Sequence, residues 1–275
     1  MQKGNAGKRI LNLYGGLFFL FIYLPIALIF IYSFNSNPTN MMVWRNFTLD
    51  WYRKILGFSV LTRDAIYVES TDQLIAAVKT SLTIAMITTA FSTLMGTATA
   101  IAINRFRFRL KKFYQMLMFV PMIMPDIVLG IALLIFYVGF GIKLGALSII
   151  IGHCTFLISY VFIVVSTRLA GMDKRLEEAS ADLGANEWVT FRRVVLPLIM
   201  PGVVGGALLA FIISMDDLVI TLFIAGVDSQ TLPLYIYGML RRGIKPEINA
   251  IASLMLIFSL VVASLGIYFR SKQSK

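Results

Sequence analysis

Apolar residues run through this chain in long blocks, and clusters of basic residues close most of them. A helix needs about 20 apolar residues to cross the hydrocarbon of a bilayer. Six blocks reach that length: roughly 11–34, 75–103, 113–139, 145–167, 198–225 and 247–269. The second and third are longer than a crossing needs, so tilt or projection past the bilayer is expected. The pattern predicts an all-α membrane protein with six transmembrane helices in a single domain, 1–275. The first block follows the basic leader MQKGNAGKRI. A signal peptide is the competing reading there. The block is long for one and lacks a small-residue cleavage site, so a retained first span is expected.

Composition supports the bilayer as solvent. Hydrophobic residues make up 58% of the 275 positions and charged residues 14%, against about 25% charged in ordinary soluble domains. The net charge of +11 would suit nucleic acid only if it covered one face, and it does not. Basic residues sit at the ends of the apolar blocks. The N-terminus holds Lys3, Lys8 and Arg9. The loop NRFRFRLKK, 104–112, holds five more with no acid. The loop 168–197 holds Arg168, Lys174, Arg175, Arg192 and Arg193, and the tail holds Arg270, Lys272 and Lys275. With six spans these sixteen, of 25 in the chain, fall on one side. The positive-inside rule makes that side cytoplasmic, so both termini are expected there. The single cysteine, Cys154, excludes a disulfide framework within the chain and a Cys-rich metal site.

The other side then holds a long loop over 35–74, a short one near Lys143 and a third around 226–246. Trp44, Trp51 and Tyr52 in the first suit either a docking surface or an aromatic belt at the lipid interface.

One loop breaks the apolar pattern differently. Over 173–197 the residues read as helix, turn, helix and membrane. Asp173 can cap a first short helix. Leu176, Ala179 and Leu183 recur at helical spacing on one face. Gly184 suits the left-handed residue that ends such a helix. Asn186 can cap a second helix over 187–195, and Pro197 fits the first turn of the next span. Such a pair of amphipathic helices serves either as a docking element for another chain or as an interfacial helix on lipid.

The stretch EASADLGANEWVTFRRVVLP within this loop resembles the EAA loop of type I ABC importer permeases. Glu178, Ala179, Gly184, Val194, Leu196 and Pro197 match its pattern at the right spacing, and Ser180 stands where the family has a second Ala. The loop also precedes the penultimate span, as it does in the family. The resemblance implies cytoplasmic coupling helices that sit in a cleft of an ATPase subunit, with Glu178, Ala179 and Gly184 as the contact core and Leu196–Pro197 as the return to the membrane. Small Ala and Gly side chains allow close approach in a groove, and the surrounding charges set register. YLPIALIFIYSFN, LDWY, MIMPDIVLGIALL, SMDDLVITLFIAG and LPLYIYGMLRRGIKPEINAIASL resemble the second permease subunit of spermidine/putrescine importers, and they are spread over most of the chain. Related permeases for ferric iron and thiamine share that scaffold. The resemblance implies a bacterial cytoplasmic (inner) membrane location. It also implies a sister permease, two ATP-binding subunits and an extracytoplasmic substrate-binding protein as partners.

No G-x-x-x-x-G-K-[ST] phosphate loop occurs, and Gly7-Lys8 is followed by Arg9. ATP and Mg²⁺ are therefore expected on a partner ATPase, with no catalytic residue or cofactor in this chain. An ion-coupled secondary transporter is the alternative that does without ATP.

Four acids lie in or beside the apolar blocks: Asp126, Asp216, Asp217 and Glu247. A charge at the bilayer centre costs about 2.5–3.5 kcal/mol even on insertion scales, so such acids face a partner or a polar cavity. Lining the entry for a cation is the sharper of the two roles. Carboxylates attract ammonium groups strongly at low dielectric, and Tyr235 and Tyr237 lie near in sequence for cation–π contact. Asp216 and Asp217 are adjacent, so both can face a pore only if the helix unwinds there. Pro121 and Pro125 precede Asp126 and are expected to break the third span. Dispersed acids and a lone His153 serve a metal poorly, and His153 is expected to be a buried hydrogen-bonding group. Gly202, Gly206 and Ala210 recur every four residues, which suits close helix packing, either within the chain or against a sister subunit.

Overall fold

The structure is a computed structural model that describes residues 4–37, 43–58, 66–173, 175–242 and 247–272; side chains are described from 7 in α1, 72 in α3, to 239 in α11, and over 248–261 and 264 in α12. The helices are α1 (Gly4–Tyr32), α2 (Asp50–Ile55), α3 (Ile66–Arg105), α4 (Lys111–Ile123), α5 (Asp126–Gly139), α6 (Ala146–Ala170), α7 (Arg175–Asp182), α8 (Glu187–Thr190), α9 (Leu196–Asp216), α10 (Val219–Ile224), α11 (Leu232–Arg242) and α12 (Glu247–Lys272). The β structure among the described residues is one isolated bridge, Asn35 to Phe47. Among the described residues, four helical stretches are long and apolar enough to cross a membrane, Gly7–Tyr32, Asp72–Arg105, Ala146–Ala170 and Glu187–Asp216, or five if the bent pair Lys111–Ile123 and Asp126–Gly139 is one span.

Two expected spans are interrupted. The block 113–139 forms α4 and α5, whose axes meet at 106°. Of the two prolines expected to break the span, Pro125 is the cause, and Pro121 lies inside α4 without ending it. Pro125 disfavours helical backbone at the preceding residue and carries no N–H to continue the ladder. Met124 and Pro125 are both extended, with ψ of 130° and 136°. The block 198–225 is longer at its start and broken near its end. Its helical rod begins at Glu187, and α9 stops at Asp216.

The chain divides into two compact units. The first comprises residues 1–73 and 238–261. Its α1 carries an apolar stretch, none of which is buried within the described residues. The loop after α1 folds on itself around Asn35, whose Nδ2 donates to Val43 O and whose Oδ1 accepts from the N–H groups of Asn37 and Arg45. Trp51 is only 7% exposed and donates its indole N–H to Asn35 O at 2.8 Å. Tyr52 OH lies 2.6 Å from Ser33 Oγ. These two aromatics therefore hold the loop together, Trp51 buried within it and Tyr52 half-buried. Of the three aromatics expected at the surface, Trp44 is exposed.

The second unit comprises 74–237 and 262–275. α6 is its central element and is buried along most of its length by Ile149, Phe156, Leu157, Val161, Phe162 and Val165. α9 packs lengthwise on α6, and α5 packs on α10. The small residues explain how closely. A Cβ at Gly206 would fall 3.2 Å from Val161 Cγ1, and one at Gly96 of α3 would fall 2.7 Å from Val161 Cβ. A Cβ at Gly202 would fall 3.0 Å from that of Arg168. The stripe of small residues on α9 is thus filled by α6 of the same chain and is not free for a sister subunit.

Candidate functional site

The helix–turn–helix element over 173–197 is built from local sequence. Asp173 Oδ1 accepts from Arg175 N–H at 3.0 Å at the start of α7. Gly184 sits at φ +81°, a left-handed conformation that L side chains avoid. Around it, Ala185 N–H reaches Ser180 O at 3.1 Å and Gly184 N–H reaches Ala181 O at 2.9 Å. That pair is a Schellman closure, which satisfies the free carbonyls at the end of α7. Asn186 then caps α8, its Oδ1 accepting from Val189 N–H at 2.9 Å. The expected second helix is not separate from the span. α8 passes through a wider π turn, Phe191–Val195, directly into α9. Leu196 N–H donates to Phe191 O, five residues back. Pro197 has no N–H to give and its ring crowds the carbonyl four residues before it, and a wider turn at this point accommodates both.

Three contacts stabilise this element and its junction with the spans. Arg105, the last residue of α3, forms an ion pair with Glu177. Ser180 Oγ lies 3.0 Å from Thr190 Oγ1, joining α7 to α8. Arg168 Nε donates to Leu198 O at 3.1 Å, joining the end of α6 to the start of α9. The sequence pattern did not reveal the Arg105–Glu177 pair, because its partners are 72 residues apart. Glu178, Ala179, Gly184 and Pro197 are all exposed, and Leu196 is half-buried. Beside them, Leu183 is 89% and Trp188 67% exposed. The element thus presents small residues flanked by large bare apolar ones.

The carboxylates are placed unequally. Asp126 heads α5 just after the bend and is exposed. Asp216 ends α9 and is exposed. Asp217 is extended, with ψ of 120°, and turns inward, its side chain only 8% exposed. Its Oδ2 accepts from Thr221 N–H at 2.8 Å and from Thr221 Oγ1 at 2.7 Å. His153 Nε2 lies 3.2 Å from the same oxygen. Interrupting the helix therefore separates the two neighbours instead of aiming both into one space. Tyr235 is buried and Tyr237 half-buried on α11. Glu247 begins α12, and its side chain lies outside the described residues.

α5 and α10 run in the same direction. Gly130 lies against Ile220 and Phe223. Farther along both helices, Tyr137 OH donates to Ser148 O at 3.1 Å while Ser148 Oγ donates to Ile224 O at 2.7 Å. Their acid-bearing starts, Asp126 and Asp217, accordingly lie toward the same end of the pair.

One cavity of about 650 Å³ opens between α3 and the α8–α9 rod. Met86, Leu94, Phe191 and Phe211 are among its walls. Thr89, Thr93 and Thr97 also line it, and their hydroxyls have no hydrogen-bond partner within the described residues.

Over residues 92–272 the chain matches the family described as binding-protein-dependent transport system inner membrane component. It belongs to that family. The permease is 40% identical over 244 residues to the spermidine/putrescine transport system permease protein PotC of Escherichia coli (strain K12), covering 89% of this chain and 87% of that one. It is 37% identical over 264 residues to the putrescine transport system permease protein PotI of the same strain, covering 94% and 89%. Among solved structures, it is similar to that of a bacterial ABC transporter involved in the import of the acidic polysaccharide alginate. The TM-score is 0.66 at 17% identity, with 98% of each chain covered. At that identity the likeness speaks for the fold alone. The permease is thus a multi-pass inner-membrane subunit of an ABC importer, and residue for residue it is most informatively compared with polyamine systems.

Proposed function

We propose that the permease carries a polyamine of the spermidine/putrescine class into the cell, driven by ATP hydrolysed on partner subunits. The observation that carries this reading is the 40% identity to a spermidine/putrescine permease across 89% of the chain. The exposed carboxylates Asp126 and Asp216 support it, since carboxylates in low dielectric attract ammonium groups. Asp217, Tyr235 and Glu247 complete the proposed pathway, with Asp217 acting through the backbone it caps.

In this reading all of 1–275 works as one permease domain, with six crossings and both termini cytoplasmic. The crossings are α1, α3, the bent pair α4–α5, α6, the rod α8–α9 with α10, and α12. An extracytoplasmic binding protein delivers the substrate, and a sister permease completes the cavity. The α3–α9 groove, with its three unpartnered threonine hydroxyls, is the open face for that sister, since α6 fills the small-residue stripe. Two ATP-binding subunits, holding ATP and Mg²⁺, grip α7 and α8 around Glu178, Ala179 and Gly184. Closure of the ATPases then moves α8, and the rod continues that motion through Leu196 and Pro197 into α9.

Uptake by the reconstituted complex tests the proposal with labelled spermidine, putrescine, ferric ion and thiamine. Saturable, ATP-dependent uptake of spermidine or putrescine is expected. Uptake of ferric ion or thiamine alone would overturn the substrate. Uptake that persists when ATP hydrolysis is blocked, and follows the proton gradient, would overturn the energy source.

A further inference from the structure

The chain has one histidine, and neither the coupling element nor the proposed pathway uses it. His153 lies in α6 with no exposed surface. Its Nδ1 is 2.9 Å from Ser214 Oγ, in the last turn of α9. Its Nε2 is 3.2 Å from Asp217 Oδ2 and 3.1 Å from Thr221 Oγ1, both beyond the end of α9. The two ring nitrogens therefore hold opposite sides of the α9–α10 break.

That break has no backbone cause. Residues 214–221 read SMDDLVIT, without Gly or Pro. Helix interruptions without those residues arise where a side chain inserts into the hydrogen-bond ladder. In a membrane span the interruption also needs new partners for every freed backbone group, because no water is there to supply them. Asp217 provides acceptors, taking Thr221 N–H at 2.8 Å and Ile220 N–H at 3.4 Å. A carboxylate this buried is costly unless it is itself paired. His153 supplies the partner, and Ser214 fixes the orientation of the ring. At its far end α10 is tied to the same helix, through the bond from Ser148 Oγ to Ile224 O. α6 thus holds α10 at both ends.

We infer that His153 is a positioning residue for the transport pathway: by bridging Ser214 and Asp217 it keeps the span broken, turns Asp217 inward and leaves Asp216 outward. The break follows from geometry, and its consequence for transport rests on the reading of Asp216 as a pathway carboxylate. Without the bridge, nothing in the local backbone prevents α9 from continuing through residue 217. A continued helix turns about 100° per residue and rotates the acids to new directions.

The test uses the assembled complex in proteoliposomes. Cys154→Ala removes the native thiol, and Asp216→Cys places a reporter at the break. Its rate of labelling by a membrane-impermeant maleimide is the readout. His153→Phe keeps the bulk of the ring and removes its bonds to Ser214, Asp217 and Thr221, and at least a fivefold change in labelling rate is expected. His153→Gln retains an amide that can donate to Asp217, and a rate within twofold of the reference is expected. A rate unchanged within twofold in a His153→Phe complex with the reference unfolding temperature overturns the inference. If His153→Phe does not assemble, Ser214→Ala and Thr221→Val decide. Ser214→Ala removes one bond, to His153, and Thr221→Val removes two, to His153 and Asp217; at least a twofold change in both variants is expected. No change in either overturns the inference. Labelling needs no transported substrate, so failure here leaves the polyamine proposal standing, and a failed uptake assay leaves the positioning role standing.

Discussion

Substitution at Gly184 separates the shape of the coupling turn from its contact with an ATPase. Gly184 sits at φ +81°, and a Cβ added there would meet nothing within 4 Å. An alanine at this position therefore pays only the left-handed backbone penalty, about 1–2 kcal/mol. A penalty of that size lowers the population of the native turn about 5–30-fold. Arginine carries the same backbone penalty, because the strain arises at Cβ. Any difference between Gly184→Ala and Gly184→Arg consequently measures what the longer side chain meets outside this chain. Asparagine visits left-handed backbone far more readily than alanine, so Gly184→Asn tests the turn from the opposite side. The assay is substrate taken up per ATP hydrolysed, in the complex reconstituted with its binding protein. With α7 seated in an ATPase groove, Gly184→Arg should lower that ratio at least tenfold below Gly184→Ala, with the thermal unfolding of the two variants the same. Gly184→Asn should lie between Gly184→Ala and the unmodified protein in turn stability. Equal ratios for Ala and Arg, within twofold, would show that the residue serves the turn alone, and the docking assignment would be wrong.

Gly96→Val should destabilise the second unit by about 1–3 kcal/mol, the usual cost of overpacking, because its Cβ would fall 2.7 Å from Val161 Cβ and 2.8 Å from the immovable Ile158 O; thermal unfolding in detergent measures this, and an unchanged midpoint would refute the close packing of α3 on α6. Asp126→Asn and Asp216→Asn should each raise the substrate concentration for half-maximal uptake several-fold while basal ATP hydrolysis persists; uptake curves that superimpose on the unmodified one would make both acids structural. Glu177→Ala and Arg105→Ala remove the same pair, whose side chains are about a quarter exposed. Each single variant leaves a largely buried charge without its partner and should therefore cost more than the ~1 kcal/mol of an exposed pair, and the double variant should cost less than the sum of the two. Additive losses in the unfolding midpoint would show that the two residues do not act on each other.

The parts of this permease that could be read from its residues are those governed by local rules. The left-handed turn at Gly184, the caps at Asp173 and Asn186 and the break before Asp126 each depend on a few neighbouring residues, and each stands where the residues place it. That α8 runs without a break into α9 is not legible in the residues, because Pro197 is an ambiguous signal. It marks a helix N-terminus when a turn precedes it, and it is tolerated inside a rod when a π turn widens the ladder upstream. Apolar periodicity does not distinguish the two cases. How the two acids at the end of the fifth span divide is not legible for a deeper reason. Asp216 and Asp217 are the same residue type in adjacent positions, so composition and spacing assign them one role. What separates them is His153, 64 residues earlier. An acid that finds a buried partner turns inward and takes over the backbone bonds of the break, and its neighbour is left to the other side. Long-range pairing of this kind leaves no trace in a hydropathy pattern. The chemistry of such a span is therefore decided by which acid is paired, and the number of acids in it does not fix that.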